Sequence, residues 1–123
     1  MAWGYRYRQF VLASEVHGIY LFSWVLERIQ ALLKNEPELR DAMSQRLIEV
    51  LIDEVGHVTY NRLVIGSDNL GLAKYLTHNI SKSAALITPE LKALGYDKKV
   101  VAGFGAFDFN KLPEEVRRRS FFT

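Results

Sequence analysis

Apolar residues recur at helical spacing along the first part of the chain. Val11, Leu12, Ile19, Phe22, Leu26, Ile29 and Leu33 share one stripe, and the spacing predicts a first helix over about 8–34. Trp24, Val25 and Leu32 widen that stripe, which suggests burial against more than one neighbour. Asn35-Glu36-Pro37 breaks the pattern, with Pro37 suited to the first turn of a new helix and Asn35 or the turn before it to its cap. A second helix is predicted over about 37–64, with the stripe Met43, Leu47, Val50, Leu51, Glu54, His57 or Val58, Asn61 and Val64. The short connection favours an antiparallel helical hairpin.

Gly66 is a plausible C-cap for that helix, and Ser67 or Asp68 an N-cap for a third over about 69–86 carrying Leu72, Leu76, Ile80 and Ala84. Thr88-Pro89-Glu90 starts a short helix to about Leu94, and Gly95 stops it. The segment Val100–Phe107 is apolar and glycine-bearing, and the expectation there is an extended packing segment. Leu112-Pro113-Glu114-Glu115 suits the start of a last helical turn. The fold class expected is all-α: one domain over 1–123, with a long hairpin at about 8–64 and a partly helical, partly irregular tail at 65–123.

Composition narrows the chemistry. The 49% hydrophobic fraction is ample for a packed core in a chain of 123 residues. A net charge of +2 is too small to argue for nucleic acid or an anionic membrane as partner. The stretch after the N-terminus is interrupted by Glu15, His17 and Ser23, which argues against a secretory signal and a membrane span. With no cysteine, thiolate metal sites, iron–sulfur clusters and cysteine nucleophiles are excluded, and the expected location is a reducing cytoplasm.

Glu54 and His57 then stand out. Three residues apart on a helix, they share a face one turn apart, among Leu47, Val50, Leu51 and Val58. A carboxylate and an imidazole among apolar neighbours are costly unless paired or metal-bound. Glu15 lies on the first helix in a similar stripe, among Val11, Leu12, Ile19 and Phe22. Glu15 and Glu54 are each about 20 residues from the turn at Asn35, roughly 30 Å along their helices, so in an antiparallel hairpin they meet at one level.

Asp53-Glu54-x-x-His57, with a glutamate on the preceding helix, resembles the second half of the ferritin-like di-iron carboxylate proteins. The resemblance covers about 8–64. It implies Glu15, Glu54 and His57 as ligands of a di-iron or iron–manganese centre, and Asp53 as acceptor for an imidazole N–H. It further implies O2-dependent oxidation of a small organic substrate. No second Glu-x-x-His exists in the chain, so it supplies half a site. A homodimer, or an N-terminal half outside this sequence, would complete the bundle.

Two other functions stay open. One is a ferroxidase or iron-handling protein with the same ligands, and the other a metal-free helical interaction module. Around the motif, Asn61 is placed to hydrogen-bond a ligand or to cap a buried polar pocket, and Tyr60 flanks the site as a redox partner or a core tyrosine. His17 lies on a different face, as a packed or surface histidine, and His78 reaches a site only if the third helix folds back. Phe104, Phe107, Phe109, Phe121 and Phe122 suit tail packing or a channel lining, and Arg117-Arg118-Arg119 a solvated face.

Overall fold

The structure, a computed structural model, describes residues 2–65 and 70–120. Those residues form helices and no strand: α1 (Ala2–Leu32), α2 (Pro37–Ile65), α3 (Leu70–Ile87), α4 (Glu90–Ala93), α5 (Lys98–Phe104) and α6 (Glu114–Arg119), with a 3-10 turn at Phe109–Lys111. The all-α expectation holds, and the predicted starts and stops agree with the observed ones to within a few residues except at the N-terminus and in the tail. The expected caps at Gly66, Ser67 and Asp68 lie outside the described residues.

The α1–α2 turn is short because the chain reverses on local hydrogen bonds. The Glu36 amide donates to the Leu33 carbonyl at 2.9 Å, and the Glu36 carbonyl accepts from the Arg40 amide at 2.8 Å. Pro37 follows directly, at the first helical position, where its missing N–H costs nothing. The two long helices pack along each other and share a core of Leu12, Ile19, Leu26, Leu51, Val55 and Val58.

The inward stripe of α2 differs from the predicted one. Leu51, Val55 and Val58 are buried, whereas Met43, Val50 and Val64 are exposed. Each helical residue advances about 100°, so a face centred on Leu51 and Val55 turns Val50 and His57 outward and leaves Glu54 at its border.

α3 folds back onto α1, and α6 packs on α2. Ala73 of α3 and Leu112 and Val116 of the tail join the α1–α2 core. A second core gathers Ala84, Leu91, Tyr96, Val101 and Phe104 under Tyr20, Leu21 and Trp24 of α1. The wide stripe of α1 thus serves two neighbours, as its width suggested.

Gly95 ends α4 at φ +100°, a conformation that favours glycine. Its amide donates to the Lys92 carbonyl and the Tyr96 amide to the Leu91 carbonyl, both at 3.0 Å, while Leu91 and Tyr96 pack together in the second core.

The segment expected to be extended is instead helical over Lys98–Phe104. Asp97 is the reason: its side chain accepts from the Val100 amide at 3.0 Å and caps the helix. Val101 and Phe104, one turn apart, then face the core together. α6 begins after Pro113 as expected. Its first turn carries Glu114 and Glu115 and its last Arg117–Arg119, the order that complements a helix dipole.

Candidate functional site

Glu15 and Glu54 are brought together at the edge of the α1–α2 seam, each half-buried. Asn61 Nδ2 donates to Glu15 Oε2 at 2.9 Å, which fixes one carboxylate in place. The second is accommodated by Gly18, because a Cβ at that position would stand 3.2 Å from Glu54 Oε2. Gly18 lies one turn along α1 from Glu15, so the helix has its gap where the facing carboxylate comes in. Neither glutamate makes an ion pair among the described residues.

Burial raises the Glu54 pKa above its ordinary value, and the negative charges of Glu15 and Asp53 add to the effect, while His57 opposes it. Glu54 therefore holds a proton more readily than a solvated glutamate would.

Asp53, His57 and Tyr60 sit on the outer side of α2, all exposed. The two expected glutamates are thus brought together, and the histidine is turned to solvent beside them rather than into the core. No group of three or more His, Asp or Glu side chains is arranged to hold a metal ion among the described residues. Asn61 is half-buried, and its side chain is directed to Glu15.

Sequence reasoning missed Gly18, although a signal was present. A glycine inside a long helix costs about 1 kcal/mol relative to alanine, and one near the level of an expected carboxylate asks for a reason.

The other histidines separate as well. His17 is buried with Nδ1 2.9 Å from Ser81 Oγ, and burial lowers its pKa. His78 is exposed and lines a different feature, a cavity of about 460 Å³ between α1, α2, α3 and α5. Val16 and Val58, the chain neighbours of Glu15 and His57, line this cavity, but Glu15, Glu54 and His57 do not. Tyr20 forms part of its wall, and its ring packs against Phe104, Phe107 and Phe109 at centroid distances of 5.3, 4.9 and 6.1 Å. Phe121 and Phe122 lie outside the described residues.

No helix among the described residues is long and apolar enough to cross a membrane. No protein-family model matches the chain, and neither a curated protein nor a solved structure shows significant similarity to it.

Proposed function

We propose that this chain is one half of a ferritin-like, carboxylate-bridged di-metal protein, with its long hairpin completed to a four-helix bundle by a second copy. The observation that carries the proposal is the half-buried Glu15–Glu54 pair, which makes no ion pair among the described residues. Two like charges held at a helix seam are unfavourable unless a proton or a cation joins them.

The surroundings favour a second helical pair over solvent. Leu39, Met43, Val50 and Val64 are exposed on α2, at steps of four and seven residues, with His57 in the same series. That is the spacing of a helix–helix seam, and Glu54 lies along its border. Among the described residues of one chain no three donors are grouped to hold a metal ion. Two copies facing across this seam would pool four carboxylates and two imidazoles, an oxygen-rich set suited to iron or manganese. Glu15 and Glu54 would hold the ions, with His57 as nitrogen donor. Asn61 would orient Glu15, and the apolar seam would exclude water.

Bound iron or manganese would supply O2 chemistry, and the activity proposed is oxidation of a small organic substrate.

A second reading is a metal-free helical module, in which the same seam would only join helices; it accords with no three donors being grouped among the described residues. Metal content on protein of known mass separates the two, with Glu54→Ala/His57→Ala and Val50→Glu variants alongside. The di-metal reading expects a dimer with about one iron or manganese per chain, metal lost in the first variant, and both dimer and metal lost in the second. A dimer that takes up no metal after anaerobic addition of Fe²⁺ or Mn²⁺ establishes the module instead.

A further inference from the structure

The geometry points to the cavity between α1, α2, α3 and α5 as a binding site for an amphipathic organic anion, a carboxylate on an apolar body such as a medium-chain fatty acid. Its volume, about 460 Å³, falls within the ordinary range for small-molecule sites. The site is separate from the Glu15–Glu54 pair and does not rest on the metal reading.

The walls are apolar. Leu12 and Val16 of α1, Val58 of α2, and Val101 and Phe104 of α5 supply them. On the α3 side the inward positions are small: Ala73, Thr77 and Ser81 follow one another at one-turn spacing, and all three are buried. Larger residues there would fill the space that these leave open. The polar atoms of this row are already satisfied, because the Thr77 hydroxyl donates to the Ala73 carbonyl at 2.7 Å and the Ser81 hydroxyl meets His17 Nδ1. This α3 row therefore offers a ligand mainly apolar surface.

Among the described residues the charged lining is of one sign. Arg62 from α2 and Lys74 from α3 both line the cavity, with His78 one turn beyond Lys74, and no described acidic residue does. All three are exposed, as groups at a mouth would be. Neither Arg62 nor Lys74 makes an ion pair among the described residues. Elsewhere the chain does pair its cations, as Arg119 does with Glu49 and Glu115. Two cations from different helices converging on an apolar cavity recognise one anionic head and one apolar tail. A guanidinium suits a carboxylate because its paired N–H groups match the two oxygens.

Calorimetric titration of the full chain with decanoate tests this, with decanol and decyltrimethylammonium as neutral and cationic comparators of the same tail. Decanoate is expected to bind saturably at one per chain, at least tenfold more tightly than either comparator. Arg62→Gln/Lys74→Gln, whose fold is checked by circular dichroism, is expected to weaken decanoate about tenfold and leave decanol unchanged. Absence of saturable decanoate binding, comparators binding as tightly as decanoate, or a double variant that binds decanoate as wild type does would each overturn the assignment.

Discussion

Gly18 and Glu54 are complementary: the carboxylate of Glu54 occupies the space that any side chain on residue 18 would enter, with Oε2 only 3.2 Å from an added Cβ. α1 is unbroken across this glycine, so the missing side chain serves the facing helix and not a turn. Gly18→Ala therefore sets two effects against each other. Helix propensity gains up to about 1 kcal/mol, and crowding pushes back. The crowded atom is the end of a flexible side chain, so the carboxylate swings outward. The expected net result is a stabilisation of roughly 0.5 kcal/mol in chemical denaturation, with the Glu54 pKa falling back towards its ordinary value. Carboxyl NMR titration checks the second part, and an unmoved Glu54 would contradict it.

Glu54 also sets a pH dependence. Its folded pKa is raised above the ordinary 4.5, chiefly by burial and then by Glu15. The folded state therefore holds this proton more tightly than the unfolded state does, and stability falls as pH rises from about that ordinary value through the raised one. Glu54→Gln removes the charge and keeps the shape. The variant should melt higher than wild type at neutral pH, with the gap closing as pH drops into the carboxylate range. A constant gap across that range would rule out the titration of Glu54 as its cause.

His17 acts in the opposite sense. Burial depresses its pKa below the usual 6.5, so the unfolded chain binds the proton more readily. Its contribution is complete above that value and is lost as pH falls below it towards the folded pKa. His17→Gln should flatten the fall in melting temperature over this acidic window. If the wild-type and variant slopes coincide, His17 is not the group responsible.

The tail is held by packing more than by charge. Val116 is fully buried against the α1–α2 core, and Arg119 is an exposed partner of Glu49 at 2.7 Å. Val116→Ala should cost roughly 2 kcal/mol in urea unfolding. Arg119→Ala should change stability by no more than the scatter of the assay, because exposed ion pairs are screened and entropically costly. An Arg119 effect equal to that of Val116 would reverse this ranking.

Much of this architecture was legible in the order of residues. Apolar spacing predicted α1, α2 and α3, and Asn35-Glu36-Pro37 and Gly95 marked breaks, because a helix's period and its terminators are local properties. The expectation that Glu15 and Glu54 meet at one level rested on chain length and a fixed rise per residue, whereas in the structure Glu54 faces Gly18, one turn along α1 from Glu15. Helix α5 was missed because Gly103 and Gly105 weigh against a helix, while the Asp97 cap that offsets them is a single residue.

What the sequence by itself determined is therefore an all-helical chain and its main breaks. Only the tertiary structure decided which way each face turned. Glu54 and Asn61 lie at the border of the α2 stripe, where a rotation of a few tens of degrees separates core from solvent. Packing of Leu51, Val55 and Val58 against α1 set that rotation and turned His57 outward. The cavity lined by Arg62 and Lys74 was likewise beyond the sequence, because it depends on α3 folding back across α1, a contact between residues far apart in the chain.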